Sequence, residues 1–204
     1  MSLSAEEIQQ PRTPRELVVF VESVRERAKI DEDLQLAGHL RSGFLKEFFD
    51  EIVPLSRFAA AVYPESYKVS PVLGNQGFDA EVHDAEGRLV ERVEIANLVD
   101  GRSIAEAGRE LAQSGVSGLR VGDPGDDFEG LFQIIECTAS KKALRDYSDA
   151  TVVFNVNACP AFRGFEDRHE EQTNRVRKAL TARGFRARRV FIMLPSGSVE
   201  RVDA

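Results

Sequence analysis

The stretch from Phe78 to Ala96 constrains the fold most. Phe78, Ala80 and Val82 alternate with Asp79, Glu81 and His83, and Val93 and Ile95 alternate with Arg92, Glu94 and Ala96. A period of two sends the two sets to opposite faces of a strand. Between them, Asp84-Ala85-Glu86-Gly87 is turn chemistry, with Gly87 free to take a positive φ. The pattern predicts an antiparallel hairpin with Asp79 opposite Arg92 and Glu94 diagonally across on the same face. Diagonal neighbours lie roughly 7–8 Å apart, close enough for two carboxylates to share one ion. A slip of one residue would turn the acids to opposite faces.

A chain of 204 residues with 42% apolar residues has enough material for one core. We read 1–204 as a single domain: an N-terminal extension over 1–30 carrying one helix, a core over 40–156, and a C-terminal helix and strand over 163–204. No apolar run reaches membrane length, and none follows the N-terminus as a signal peptide would. Cys137 and Cys159 are too few for a disulfide framework and lack metal-ligand spacing, so reduced thiols in the cytoplasm are expected. The net charge of −7 argues against broad, non-specific binding to nucleic acid but leaves room for a locally basic groove. Oligomeric state has no signature in the sequence.

Met1–Arg12 is polar and reads as loose chain. Thr13-Pro14-Arg15-Glu16 is a helix start, with Thr13 as N-cap, Pro14 in the first turn and Glu16 closing a capping box. A helix is predicted from Pro14 to Lys29. A second is predicted from Leu40 to Ile52, burying Phe44, Leu45, Phe48, Phe49 and Ile52, and Pro54 ends or kinks it. Glu51 falls within that buried arc and Glu47 at its border; such acids either reach out to water or face a site. Tyr67–Leu73 is a weaker strand. Ser103-Ile104-Ala105-Glu106 is another capping box, opening a helix to about Ser114. Gly115–Asp127 reads as a loop, and Asp123, Asp126 and Asp127 within it lack the spacing of an EF-hand.

Phe128–Tyr147 is predicted as a long helix with Ile135 at the centre of its buried face. Lys142 projects from nearly the same line, whereas Lys141 points away. A lysine in register with a core stripe either snorkels to water or reaches a polar cluster across the sheet. Thr151–Val156 is a β-branched run with the character of a central strand. Arg163–Arg183 is a charged helix with Val176, Ala179 and Leu180 as its apolar contact and His169 on its surface. Arg183, Arg186, Arg188 and Arg189 precede a last strand, Val190–Leu194, and form either a solvated face or a phosphate contact. A short tail follows. The sequence has no Gly-rich phosphate loop, serine-nucleophile motif or HExxH.

The predicted order is helix, three-stranded meander, helix, strand, with acids on the second and third strands. This arrangement resembles the PD-(D/E)XK, or restriction-endonuclease-like, superfamily over roughly Leu40–Val156. The resemblance implies an α/β fold in which a mixed β-sheet is flanked by helices around an αβββαβ core. GFDAEV places the family's first acid at Asp79, and VEIA places the second at Glu94. The usual lysine position is Ala96, a departure from the pattern. Some members supply that lysine from the following helix, and in IIECTASKKALRDY the inward-pointing candidate is Lys142. Others add a glutamate from the first core helix, which brings in Glu51 or Glu47.

The resemblance implies Asp79, Glu94 and Lys142 as catalytic residues and Asp79, Glu94 and Glu51 as ligands of Mg²⁺ or Mn²⁺. The implied activity is that of a metal-dependent phosphodiesterase acting on DNA or RNA. The alternative is an inactive relative that keeps the scaffold as a binding or assembly module. In a domain without either role, Glu94 would pair with Arg92 or Arg102 at the surface.

Overall fold

The computed structural model describes residues 3–74, 76–98, 106, 108–111, 113, 124–156, 169–194 and 196–202. It is a mixed α/β structure with a six-stranded sheet in which the strands follow one another in chain order. By its packing the chain divides into two compact units, Met1–Arg92 with Gly101–Leu119, and Val93–Asp100 with Arg120–Ala204.

The first unit begins with α1 (Ala5–Gln9), where loose chain is expected. Ser4 caps it by accepting from the Glu7 N–H at 3.1 Å, and Leu3 and Ile8 are buried. Arg12 is buried as well. Its guanidinium donates to the carbonyls of Glu7 and Gln10 and lies 3.8 Å from the centroid of the Phe20 ring. A polar composition conceals this order because one arginine satisfies several carbonyls at once.

Next come α2 (Pro14–Ile30) and α3 (Glu32–His39). The predicted capping box is complete: Thr13 Oγ1 accepts from Glu16 N–H at 3.2 Å, and Glu16 Oε2 accepts from Thr13 N–H at 2.8 Å. The sequence reading omits α3, which Asp31 caps through Leu34 N–H.

The helix expected over Leu40–Ile52 is instead α4 (Phe44–Glu47), a π-helical turn (Phe48–Ile52) and α5 (Val53–Val62). Pro54 does not end the helix. It sits in the first turn of α5, where its missing N–H costs little. The wide turn before it closes with Val53 N–H donating to the Phe48 carbonyl, five residues back. Phe44 is exposed and Phe49 half-buried, contrary to the expected face.

Around this helical run, Leu17, Phe20 and Val21 of α2 pack with Phe48, Ile52, Leu55 and Phe58. Phe20 and Phe48 meet edge to face at 6.1 Å. Each fully buried side chain of this size contributes about 1.5–3 kcal/mol.

The meander follows as β1 (Lys68–Pro71), β2 (Ala80–His83) and β3 (Leu89–Asn97). β1 and β2 are antiparallel, with Val69 opposite Val82 and Pro71 opposite Ala80. The turn after β2 is as expected: Gly87 has φ 80 and donates to the Asp84 carbonyl at 3.0 Å. Strand pairing begins at Ala80, so the alternation does not extend back to Phe78. That ring is half-buried beneath the Arg92 guanidinium, 4.6 Å from its centroid.

The second capping box, at Ser103, lies outside the described residues apart from Glu106. Residues 106, 108–111 and 113 are helical.

The second unit holds the end of β3, then α6 (Pro124–Ala143), β4 (Asp146–Asn155), α7 (His169–Thr181), β5 (Arg186–Met193) and β6 (Val199–Arg201). The helix expected over Phe128–Tyr147 starts earlier and stops at Ala143, because Tyr147 belongs to β4. Asp126 and Asp127 are therefore helical rather than part of a loop, and Asp123 lies outside the described residues.

β4 and β5 are parallel, with Val152 opposite Val190 and Phe154 opposite Ile192; an irregularity breaks their register between Tyr147 and Thr151. The C-terminal tail forms a strand, β6, antiparallel to β5. The core gathers Ala96 and Leu98, Ile135 and Ala139 of α6, Val152 and Phe154, Val176 and Leu180 of α7, and Val190 and Ile192. No described helix is long and apolar enough to cross a membrane.

Candidate carboxylate and lysine sites

In the first unit, the acids singled out from the sequence come together electrostatically. Glu51 lies on the π-helical turn, Glu47 on the turn before it, and Asp79 on the residue preceding β2, where its carbonyl accepts from Val72 N–H at 2.9 Å. Burial pushes the Glu51 carboxyl up to about 8, with the charges of Asp79 and Glu47 adding to the shift and Lys46 only partly offsetting it. Oε2 of Glu47 is buried and has no hydrogen-bond partner among the described residues. Carboxylate oxygens are the donor type that suits a hard divalent ion. Among the described residues, however, no three His, Cys, Asp or Glu side chains gather into one metal-ligand cluster.

β2 presents Glu81, one alternation on from Asp79, toward Arg92, whose Nε lies 3.5 Å from Glu81 Oε1. The neighbouring Glu91 is a further acid that the sequence reading passes over. It is 3% exposed and accepts from the Tyr63 hydroxyl at 2.8 Å. Its signal is legible in the alternation, because Glu91 occupies the parity of Val93 and Ile95. An acid at an apolar-parity position needs a buried partner, and Tyr63 is one.

In the second unit, Glu94 and Lys142 meet. Glu94 is 7% exposed, so the polar face expected for β3 is covered there. Lys142 follows Ile135 and Ala139, both fully buried, along the same stripe of α6, and this carries its Nζ inward to an ion pair with Glu94 Oε1. The lysine therefore does not snorkel to water.

Burial alone would lower the Lys142 pKa. The hydrogen bond and charge of Glu94 outweigh it, with a smaller contribution from Tyr147, and hold the pKa above the ordinary lysine value. The Tyr147 ring centroid lies 5.6 Å from Nζ. Its hydroxyl is buried and has no hydrogen-bond partner among the described residues. Tyr147 stands where the β4–β5 register breaks, the kind of irregularity that re-aims a side chain. A carboxylate offers about four lone-pair sites on two oxygens, so Lys142 leaves Glu94 with capacity for a second ligand. Ala96, at the usual lysine position of the resembled motif, is buried in the core.

The basic cluster before β5 is largely committed to local partners. Arg183 caps α7 through the Ala179 carbonyl at 2.8 Å, Arg186 pairs with Asp146, and Arg189 approaches Thr151 Oγ1 at 3.3 Å. These contacts favour a structural face over a phosphate site.

Comparison with protein-family models, with curated proteins and with solved structures found no match.

Proposed function

We propose that the chain is a metal-dependent phosphodiesterase of the PD-(D/E)XK kind, acting on DNA or RNA, with Asp79 and Glu94 as metal-binding carboxylates and Lys142 as the catalytic cation. The observation that carries this reading is the Glu94–Lys142 pair: a lysine delivered from the helix after the meander to the acid on the third strand, in a chain with Ala96 at the usual lysine position. The Glu51 carboxyl, raised first by burial and then by the charges of Asp79 and Glu47, supports its candidacy as a third ligand, since an ion would offset both.

Mg²⁺ or Mn²⁺, when bound, would polarise a phosphoryl oxygen and lower the pKa of a coordinated water. Mg²⁺ keeps several waters and needs only one or two carboxylates together with substrate phosphate. In this role Asp79 and Glu94 hold oxygen ligands in place. The Lys142 ammonium, kept protonated by Glu94, stabilises the negative charge that builds on the phosphoryl oxygens as water attacks. Glu51 in its neutral form donates a hydrogen bond; ionised, it adds a ligand.

Incubation of the protein with single- and double-stranded DNA and with RNA, with and without Mn²⁺, tests the proposal. Cleavage is expected only with metal, and Asp79→Ala and Lys142→Met are each expected to slow it by about 10²–10³-fold. Metal-independent cleavage, or full activity in Asp79→Ala, would refute it.

A second reading, a binding or assembly module without activity, draws on the same ion pair. Lys142 is already neutralised by Glu94, and a salt bridge kept for packing needs no metal. On that reading no substrate is cut with any divalent ion, and Asp79→Ala folds and melts as the parent does.

A further inference from the structure

We propose that a hollow beside the C-terminal ends of α2 and α3 binds a nucleoside phosphate. The hollow has a volume of about 540 Å³, within the range of small-molecule sites. Arg25, Lys29, His39 and Arg41 line it together with Phe49, and no Asp or Glu is among its described lining residues. In a chain with 34 acids against 27 lysines and arginines, a hollow whose described charged lining residues are all basic runs against the composition. Helix C-termini attract cations through their dipoles, which accounts for Lys29 and His39 singly. It does not account for Arg25 and Arg41, which line the same hollow as Phe49.

Three backbone features hold the hollow in shape. Gly108 is packed against α3 so closely that a Cβ there would lie 2.1 Å from the His39 carbonyl oxygen. Gly38 leaves room for the edge of Phe49, where a Cβ would stand 3.2 Å from Cε2. Arg41 has φ 49, a left-handed conformation that an arginine adopts at a cost after a helix, where glycine or asparagine is usual. That conformation, with the pairing of Arg41 to Asp50, keeps the guanidinium 5.6 Å from the Phe49 centroid.

The existing partners of the other bases are weakly held. Arg25 pairs with Glu22 at 3.1 Å and Lys29 with Glu26 at 2.6 Å, both as exposed i,i+3 contacts. Such pairs contribute little and yield to a phosphate that can accept several charge-assisted hydrogen bonds. The ligand chemistry follows. A phosphate engages the arginine forks and Lys29, while a base lies against Phe49, as bases do on aromatic side chains in sequence-tolerant nucleic-acid sites. A free nucleotide and the 5′ end of a single strand share this chemistry.

Calorimetric titrations in EDTA separate this site from any metal-dependent one. The probes are AMP, adenosine, inorganic phosphate and a 5′-phosphorylated six-nucleotide DNA strand. AMP is expected to bind with a Kd of about 0.1–1 mM, and adenosine and phosphate about tenfold more weakly. A strand that binds about tenfold tighter than AMP and is displaced by it identifies a polymer end as the ligand; equal affinities identify the free nucleotide. The Arg25→Glu/Lys29→Glu protein, checked for an unchanged melting curve, is expected to lose AMP binding. Phe49→Leu is expected to weaken AMP and adenosine but leave inorganic phosphate unchanged. Absence of heat with AMP and strand alike up to about 5 mM, or charge-reversed protein that binds AMP as the parent does, would overturn the proposal.

Discussion

Glu51 and Glu94 are the same residue type in two regions of the molecule, and their surroundings treat them in opposite ways. Glu51 is half-buried beside Asp79 and Glu47, and burial and like charge push its carboxyl up to about 8. Glu94 is more deeply buried, at 7% exposure, yet it faces the ammonium of Lys142. The difference is how closely a cation is engaged: Lys142 pairs directly with Glu94, whereas Lys46 only partly offsets the burial and like charge at Glu51. One region carries negative charge that it relieves by holding a proton, and the other balances a carboxylate internally. Burial alone therefore does not mark a carboxylate as reactive; what matters is which countercharge the fold supplies. In the first region the Glu51 carboxyl, buried and beside like charge, keeps its proton at neutral pH.

The strongest way to break this comparison is to remove the countercharge from the balanced region. Lys142→Met leaves Glu94 buried beside an apolar side chain and is expected to cost about 3–5 kcal/mol, a fall in Tm of about 10 °C for a chain of this size. Adding Glu94→Leu to that variant is expected to restore most of the loss, because two apolar side chains can replace a buried pair. A loss under about 1 kcal/mol, read from denaturant midpoints, would mean that the pair behaves as a surface salt bridge and that the contrast is false.

A smaller effect sharpens the other side. The folded carboxyl of Glu51, raised to about 8, holds a proton that the unfolded chain, near 4.5, has released. Between those values the folded state binds more protons, so the stability contributed by this group falls as pH rises from about 4.5 to about 8. Glu51→Gln removes the penalty. It is expected to stabilise by about 1–2 kcal/mol at pH 9, after allowance for solvent screening at a half-buried site, and to have little effect at pH 5. Thermal melts at the two pH values check this, and equal shifts at both would assign the effect to packing instead.

Much of the second unit was legible because Lys142 obeys a simple rule: seven residues after Ile135, it must lie on the buried stripe of its helix. The capping box at Thr13 and the turn at Gly87 were readable for the same reason, each being a local bond set by a few adjacent residues. The rest depended on partners distant in sequence. Arg12 looks like part of a polar tail until its carbonyl partners and Phe20 are placed around it. β6 is too short to announce itself and forms by pairing with β5.

Pro54 does not stop the helical run, because the chain switches from a π-helical turn to a new first turn at that point. Glu91 lies at the apolar parity of β3, and its role becomes visible only with its partner Tyr63, 28 residues earlier in the chain. The acids at Glu47, Glu51 and Asp79 were individually visible, but their mutual repulsion comes from tertiary placement and has no sequence signature.

Asp79 and Glu94 are each proposed above as carboxylate ligands of a divalent ion. Calorimetric titration of Mn²⁺ into the parent protein and into Asp79→Asn and Glu94→Gln at pH 7.5 tests this most directly. The account expects saturable binding to the parent and none to either variant. Absence of binding to the parent, or binding that survives both substitutions, would contradict it.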